Sequence, residues 1–425
     1  MLTAVVGINW GDEGKGRMVD LLSAGYDIVC RYQGGNNAGH TVINDLGKFV
    51  LNLLPCGIFR EHTVNIIGPG MVVDIEHLWD EIESITSMGI KITPDNLKVS
   101  DRAVICMPYH VLLDELEEDR LGDKKFGTTR RGIAPVYSDK YMKKGIRMMD
   151  LLEPAALKAK LADIIEWKNM LVTGGYESEA IKADEIFAWL RKYGEKLLPF
   201  ITDTTAYLEK AANIGKKIMF EGQLGTLRDI EYGIYPYTTS SQTIAAYATT
   251  GAGIPFKTLD NTIGIMKAFS SCVGEGPFTV EFFGEEADKF REANDWTEFG
   301  AATGRPRRLG GFDIPASRYG VKIQGASYLA LTKLDMLAYF DKIPVCAAYE
   351  IDGAETQDFP LGERLTRAKP VYEYLPGFKG DITKCRKTED LPSEALAYIK
   401  YVEKAVNCPI KYVSVGPARE DYIEI

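Results

Sequence analysis

Two carboxylates and a lysine occupy a short glycine-rich segment near the start of the chain, residues 10–16 (WGDEGKG). Glycines at this spacing let backbone amides approach phosphate oxygens, and Lys15 adds a neutralising positive charge. The spacing is shorter than that of a P-loop, and Asp12 and Glu13 would repel a phosphate unless one binds a cation or acts as a base. The segment therefore predicts a phosphate site with a catalytic or metal-binding carboxylate. The alternative is a tight turn with surface charge.

A second segment, residues 33–41 (QGGNNAGHT), places a histidine among small polar residues. His40 is one of only four histidines in the chain, and its neighbours lack the bulk expected at a core position. An imidazole in such a loop can reach a ligand as an acid or as a hydrogen-bond donor. We therefore predict a loop histidine that acts on a ligand, the alternative being a solvated loop residue.

The third segment, residues 332–335 (TKLD), follows the apolar run 328–331, and GTP-binding switch proteins end a strand in the same way. The carboxylate of Asp335 can accept hydrogen bonds from guanine N1–H and the 2-amino group, a pair that adenine lacks, and the stem of Lys333 can cover the base. Four residues are weak evidence by themselves. Joined to a phosphate-type loop, they favour GTP over ATP.

Two glycine-flanked loops carry clustered basic residues in a chain whose net charge is −10: residues 300–308 (GAATGRPRR) and residues 127–132 (GTTRRG). Lys143, Lys144 and Arg147 follow the second loop. Guanidinium groups bind carboxylates and phosphates through paired hydrogen bonds. Both loops are predicted to bind anionic ligands, and the alternative is a solvated basic turn.

Apolar runs and helical repeats alternate along the chain, and they position these segments. Strands are predicted at residues 2–8, 27–32, 63–67, 217–220, 262–266, 328–332 and 345–349, and helices at 15–23, 77–87 and 110–120. Residues 151–215 are predicted to form several helices beside the core. The alternation predicts an α/β fold with a mainly parallel sheet, organised as one domain over residues 1–425.

Composition excludes several classes of protein. The chain is 45% hydrophobic and 26% charged, as is ordinary for a globular protein. A net charge of −10 gives no general attraction to nucleic acid or anionic membranes. The seven cysteines are scattered without a CxxC pair, which argues against a zinc site or disulfide framework, and no run is apolar enough to span a bilayer. We therefore predict a cytoplasmic protein with no nucleic-acid or membrane partner.

Taken in order along the whole chain, the segments resemble the adenylosuccinate synthetase family: WGDEGKG, QGGNNAGHT, GTTRRGIAPVYSDK, YPYTTSS, GRPRR, TKLD and SVGP. The resemblance implies a large, mostly parallel mixed sheet surrounded by helices, distantly P-loop-NTPase-like, and an active homodimer. It also implies a reaction, the GTP- and Mg²⁺-dependent condensation of IMP with L-aspartate to adenylosuccinate through a 6-phosphoryl-IMP intermediate.

The resemblance further implies roles for individual residues. Asp12 would remove the N1 proton of IMP and bind Mg²⁺ together with the carbonyl of Gly39, and His40 would stabilise phosphoryl transfer. The implied GTP-binding positions are Gly14, Lys15, Gly16, Gly39, His40, Thr41, Arg307, Lys333, Asp335, Ser414 and Gly416. The implied substrate-binding positions are Asn37, Thr129, Lys143, Leu224, Thr239, Thr303 and Arg305.

The chain departs from the family pattern mainly on the acceptor side. Leu224 stands where the family has a glutamine that contacts IMP, with Gln223 beside it, and Lys143 replaces an arginine that reaches across the dimer. Ala302 replaces a threonine, and Cys272 replaces an arginine. Two alternatives stay open: a ligase of the same mechanism on another 6-oxopurine nucleotide or amino acid, and a guanine-nucleotide-binding protein without ligase activity. The intact acid and histidine argue against the second.

Overall fold

A ten-stranded sheet runs through the centre of the molecule. The computed structural model describes residues 1–294, 298–300, 304 and 306–425. In chain order, the strands of this sheet are β1 (Leu2–Gly7), β2 (Ile28–Arg31), β5 (Val64–Ile67), β7 (Leu97–Ser100), β9 (Ile201–Thr202), β10 (Ile218–Glu221), β11 (Asn261–Lys267), β15 (Tyr328–Thr332), β19 (Ile410–Ser414) and β20 (Tyr422–Glu424).

The spatial order of these strands is β20-β19-β15-β11-β1-β10-β2-β5-β7-β9. Every neighbouring pair is parallel except β19 and β20. The predicted α/β fold with a mainly parallel mixed sheet is therefore confirmed.

Strand β1 lies in the middle of this sheet because its sequence, LTAVVG, is apolar enough to be buried on both faces. Val5 joins one apolar cluster with Met18, whereas Ala4 and Val6 point to the opposite face and join another with Phe220. The glycine-rich segment that follows β1 therefore starts from a strand that is packed on both sides.

Helices cover both faces of the sheet. Their bounds are α1 (Lys15–Leu22), α2 (Ile75–Ser87), α3 (Pro108–Leu121), α4 (Ile133–Tyr141), α5 (Pro154–Gly174), α6 (Ala183–Leu197), α7 (Thr204–Asn213), α8 (Ala248–Ala252), α9 (Glu285–Ala293), α10 (Ile314–Gln324), α11 (Glu363–Thr366) and α12 (Ser393–Val406). In the stretch predicted to be helical, residues 151–215, the structure has α5, α6 and α7. None of the helices among the described residues is long and apolar enough to cross a membrane.

Smaller sheets surround the central one. Strands β14 (Phe312–Asp313), β16 (Lys342–Ile351), β17 (Ala354–Thr356) and β18 (Lys369–Pro376) form a four-stranded sheet. The remaining strands form three pairs: β3 (His40–Asn44) with β4 (Gly47–Leu51), β6 (Val72–Val73) with β8 (Val104–Ile105), and β12 (Ser270–Cys272) with β13 (Arg308–Gly310). The strand predicted at residues 345–349 exists but lies in the four-stranded sheet, paired antiparallel with β18.

Candidate active site

Two of the predicted segments meet at the carboxyl ends of two parallel strands of the central sheet, β1 and β15. The loop after β1 carries the glycine-rich segment, and β15 ends in the TKLD segment. Only β11 separates the two strands, and the Thr332 hydroxyl donates a 2.7 Å hydrogen bond to the backbone oxygen of Glu13. Ligands of open α/β sheets bind outside the carboxyl ends of the strands, and this edge is therefore the candidate site.

The two carboxylates of the glycine-rich segment have different environments. The Glu13 side chain is 3% exposed, and its Oε1 accepts hydrogen bonds from the backbone amides of Asn9 (3.1 Å) and Gly11 (2.8 Å). Its Oε2 lies 2.5 Å from the ammonium of Lys15. Asp12, by contrast, keeps 28% of its side chain exposed and has a left-handed backbone, with φ 59°. Glu13 therefore holds the loop and the lysine in place, and Asp12 is the acid available to a ligand.

The loop continues into α1 through Gly14 and Gly16, which have different structural roles. Gly14 precedes the helix with φ 92°, a conformation that favours glycine, so the amides of the first turn follow a tight bend. Gly16 lies against the strand that carries the histidine, and a Cβ there would come within 2.7 Å of the His40 Cβ. The absence of a side chain at position 16 lets His40 approach the phosphate-type loop.

Asp12 pairs with a basic residue of the predicted anion-binding loop. Its Oδ2 accepts a 2.9 Å hydrogen bond from Arg307 Nε, whose Nη1 lies 3.1 Å from Glu298 Oε2. Burial raises the pKa of Asp12, but the positive charges of Arg307, Lys267 and Lys15 outweigh burial and leave that pKa below its usual value. The Asp12 carboxylate is therefore ionised and suited to hold a cation or accept a proton.

Three basic groups converge on the fully buried carboxylate of Glu298. Lys267 Nζ lies 2.8 Å from it, and Arg307 and Lys333 also pair with it. Burial raises the pKa of Glu298, but the three positive charges hold it well below its usual range. Burial lowers the pKa of Lys267 to about 7, with Arg307 and Lys333 adding to the effect of burial and Glu298 opposing it. Three basic groups that share one carboxylate therefore lie beside Asp12.

His40 is not a loop residue, as the sequence had predicted, but the first residue of β3, and it is 7% exposed. Its Nδ1 lies 2.5 Å from Oε1 of Glu221, the last residue of β10. Burial lowers the pKa of His40, and the adjacent Glu221 opposes that effect only in part. The prediction of a loop position was wrong because Gly16 leaves room for the strand to pack against α1.

Asp335 stands apart from the ion pairs. Its Oδ1 is buried and has no hydrogen-bond partner among the residues that the structure describes. Burial raises the pKa of Asp335, and Lys333 and Arg17 counteract this in part. A buried carboxylate oxygen without a donor points to a ligand that supplies one.

The C-terminal segment reaches the site through a residue that the sequence analysis missed. Arg17, on α1, donates from Nη1 to the hydroxyl of Ser414 at 2.5 Å and to the backbone oxygen of Gly416, and from Nη2 to the backbone oxygen of Asp421 at 2.7 Å. Ser414 and Gly416 are thereby held beside the first turn of α1. The signal that could have found Arg17 is its position two residues after Lys15 in the first helical turn.

On the acceptor side, Gln223 and Leu224 follow β10, and their side chains contact different parts of the site. Gln223 Nε2 donates to Asn37 Oδ1 at 2.5 Å, and Gln223 Oε1 accepts from Arg31 Nη2 at 2.5 Å. Leu224 has φ 60°, and its Cδ2 would lie 3.4 Å from a Cβ at Gly11. Gln223 therefore orients Asn37, while Leu224 places an apolar side chain beside the glycine-rich loop.

The other predicted substrate positions are spread more widely. Thr239 is buried, its Oγ1 has no hydrogen-bond partner in the described part of the chain, and its backbone amide donates to the Arg228 oxygen at 2.8 Å. Thr129 is half-buried, and Lys143 is exposed beyond the end of α4 with φ 62°. Gly39 and Thr41 flank His40 and are half-buried. Thr303 and Arg305, like Ala302, lie outside the described residues.

An open, mostly parallel sheet that presents a glycine loop, a lysine and an acid at its carboxyl edge defines an α/β protein built to hold a phosphate-bearing ligand. The family model for adenylosuccinate synthetase matches residues 4–423. The chain is 45% identical to the adenylosuccinate synthetase of Caldanaerobacter subterraneus subsp. tengcongensis over 423 residues, covering 99% of this chain and 98% of that protein. It is also 45% identical to that of Heliobacterium modesticaldum over 422 residues, covering 99% and 98%.

Solved structures agree with these matches. A fully ligated adenylosuccinate synthetase from Plasmodium falciparum superposes with a TM-score of 0.93 at 34% identity, covering 100% of this chain and 99% of that one. The succinoaminodeoxyadenylate synthetase of cyanophage S-2L, at 18% identity, shares the fold alone, with a TM-score of 0.60 and coverage of 100% and 95%. The chain belongs to the adenylosuccinate synthetase family, and it is a ligase of purine nucleotide biosynthesis.

Proposed function

We propose that this chain is a cytoplasmic, homodimeric ligase that condenses IMP with L-aspartate to adenylosuccinate, using GTP and Mg²⁺ through a 6-phosphoryl-IMP intermediate. The observation that carries the proposal is the contact between the glycine-rich loop and the TKLD segment, through Thr332 and Glu13. The contact brings the predicted phosphate-binding loop and the predicted guanine-binding segment together on one edge of the sheet, which supports their acting on one nucleotide.

Activation of the acceptor needs a base and a phosphoryl donor. Asp12 takes the N1 proton of IMP, which makes the 6-oxygen a nucleophile toward the γ-phosphate of GTP. An amide-like oxygen is a poor leaving group until it is phosphorylated, and the aspartate amine then displaces phosphate. The ionised state of Asp12 supports its role as the base.

Charge on the transferring phosphoryl group requires positive neighbours. Lys15, Arg307 and the amides of the first turn of α1 supply them, and His40 contributes a hydrogen bond through its ring. A carboxylate at Asp12 and the carbonyl of Gly39 are hard oxygen ligands of the type that Mg²⁺ prefers, and a bound Mg²⁺ would neutralise phosphate charge there.

The roles of the remaining site residues follow from their positions in the chain. Asp335 accepts from the guanine edge, Lys333 covers the base, and Ser414 and Gly416 border the nucleotide. Asn37, Thr129, Thr239 and Leu224 line the acceptor, Thr303 and Arg305 hold the aspartate, and Lys143 reaches the nucleotide phosphate of a second subunit. The exposure of Lys143 in one chain supports the last role.

One observation favours a second candidate, a ligase of the same mechanism with another acceptor. Leu224 offers no hydrogen bond to a purine, and Gln223, which could have offered one, is engaged by Asn37 and Arg31. Another 6-oxopurine nucleotide, such as GMP or dGMP, or another amino acid would then be the acceptor.

The experiment is to incubate the purified protein with GTP, Mg²⁺, IMP and aspartate and to follow adenylosuccinate by chromatography and mass spectrometry. Formation of adenylosuccinate together with GDP and phosphate supports the first candidate. Turnover with GMP, dGMP or another amine but not with IMP and aspartate supports the second. Tight GTP binding without turnover on any acceptor would overturn both and indicate a binding protein.

A further inference from the structure

Glu221 occupies an unusual place for a carboxylate. It ends β10, which lies between β1 and β2 in the central sheet, and its side chain is fully buried. Burying an ionised carboxylate is costly unless hydrogen-bond donors surround it. A carboxylate kept at this position therefore has donors, and they indicate what it does.

Three donors meet the Glu221 carboxylate, and two of them belong to one cysteine. The backbone amide of Cys56 donates to Oε2 at 2.8 Å, and its thiol donates to Oε1 at 3.1 Å. His40 Nδ1 lies 2.5 Å from Oε1. Burial raises the pKa of Glu221, but His40, Arg31 and the Cys56 amide together hold it below its usual value, so the carboxylate is ionised.

An ionised carboxylate at 2.5 Å determines the state of the ring. Because it can only accept hydrogen bonds, Nδ1 of His40 carries a proton and donates it. Nε2 is then the ring nitrogen that is left for a ligand. Gly16 limits the position of this residue from another side, since a Cβ at position 16 would come within 2.7 Å of the His40 Cβ.

A bound metal is the competing explanation, because ligand atoms of His40, Cys56 and Glu221 all lie within 4.8 Å of one another. Two ligands of one tetrahedral zinc ion stand about 3.3 Å apart when each lies about 2.0 Å from the metal. The Nδ1–Oε1 separation of 2.5 Å is shorter than that and lies just below the usual range of a charge-assisted N–H···O hydrogen bond, so it fits a direct contact better than a shared metal. The three side chains therefore form a hydrogen-bonded group.

We infer that Glu221 is a positioning residue for phosphoryl transfer, which fixes the tautomer and the orientation of the His40 ring, and that Cys56 in turn fixes the Glu221 carboxylate. The inference rests on the proposed role of His40. It assigns a reaction-related task to two residues that do not touch the substrate, and it explains why a carboxylate is buried at the end of an apolar strand.

The first test is the tautomer of His40 in the purified protein, read from ¹⁵N chemical shifts of the histidine rings with His40→Gln for assignment. We expect a protonated Nδ1 in the wild type and loss of that state in Glu221→Gln. A wild-type ring protonated only on Nε2 would overturn the inference. So would zinc that copurifies at about one equivalent and is lost in Cys56→Ser.

The second test is kinetic. Glu221→Gln should lower kcat between about 10-fold and about 10⁴-fold, the range found when the partner that orients a functional histidine is removed, while the KM for GTP changes less than about twofold. Cys56→Ala should lower kcat less, and Cys56→Ser, which keeps a donor, should restore it. Unchanged kcat in Glu221→Gln would overturn the inference.

Glu81→Gln is the matched control. Glu81 is also a buried glutamate, and it accepts hydrogen bonds from the backbone amides of Asn52, Leu53 and Leu54. This variant should lose stability without changing the His40 tautomer, which separates positioning from folding. If the wild type makes no adenylosuccinate, the proposed function fails, and the tautomer measurement still decides the inference by itself.

Discussion

Asp335→Asn tests guanine recognition separately from the chemistry of transfer. The wild-type carboxylate has a buried oxygen without a donor in the described part of the chain, and guanine brings two donors, N1–H and the 2-amino group. The asparagine amide keeps one acceptor and turns an N–H₂ group toward the second donor. Little else changes in size, so the effect reports hydrogen bonding.

The magnitude follows from the hydrogen bonds lost. A hydrogen bond to a charged group contributes about 1.5–3 kcal/mol, and the misplaced amide adds an unfavourable donor–donor contact. We expect a loss of about 2–3 kcal/mol, which is a decrease of about 30-fold to 150-fold in kcat/KM for GTP.

The assay compares kcat/KM for GTP, ITP and XTP. ITP lacks the 2-amino group, and XTP carries an oxygen in its place, which the asparagine amide can contact as a donor. The wild type should prefer GTP over both, and Asp335→Asn should move the preference toward XTP. Asp341→Asn is the control, because the Asp341 side chain is 92% exposed and pairs with Lys379 at the surface. An unchanged preference for GTP in Asp335→Asn would refute guanine recognition by this carboxylate.

Four further variants probe the charged groups of the site. Asp12→Asn should abolish turnover while GTP still binds in titration calorimetry, because an amide cannot take the proton; an active variant would contradict the assigned base. Glu298→Gln removes the carboxylate that Lys267, Arg307 and Lys333 share and should lower the free energy of unfolding in urea by roughly 3–5 kcal/mol, whereas the double variant Glu298→Gln/Lys267→Met should regain part of that loss. Equal losses in the two proteins would argue against the cluster. Because burial lowers the pKa of Lys267 to about 7, and its value in the unfolded chain is about 10.4, the unfolded state binds more protons between these values and stability rises with pH through this residue. The single variant Lys267→Met should therefore show a smaller rise in the free energy of unfolding between about pH 7 and about pH 9 than the wild type, and identical slopes would contradict this.

Local sequence was sufficient where an element is specified by its own residues. The strand predicted at residues 2–8 is β1, because it is a short continuous apolar run, and the helix predicted at residues 15–23 is α1, because its apolar residues recur with a helical period. The strand at residues 345–349 also exists, and its place in the smaller four-stranded sheet was not predicted. The pattern of apolar residues in a strand specifies which of its side chains are buried. It does not specify which strand it pairs with, because pairing depends on distant segments.

In the candidate site, too, some residues could be predicted from local sequence and others could not. Asp12, Lys15 and Asp335 could be predicted as site residues because their glycine and strand-end settings are visible in the sequence. Glu298 and Glu221 were missed, because a lone glutamate carries no pattern that predicts three donors around it. The one available signal for Glu221 is a carboxylate that closes the apolar run IMFE, a combination that a surface position would not require.

The charges at the site support the proposal that this acidic protein binds a triphosphate. The net charge of the chain is −10, yet four cations stand against three carboxylates at the carboxyl edge of the sheet: Lys15, Lys267, Lys333 and Arg307 against Asp12, Glu13 and Glu298. Glu13 and Glu298 are buried and hold the cations at fixed positions, so little reorganisation is needed when a phosphate arrives. Asp12 is the most exposed of the three carboxylates and is therefore the one best placed to exchange its partner. Ligand phosphate that draws Arg307 away would free Asp12 to act as a base, and binding of the nucleotide and readiness for proton transfer would then be coupled through one guanidinium.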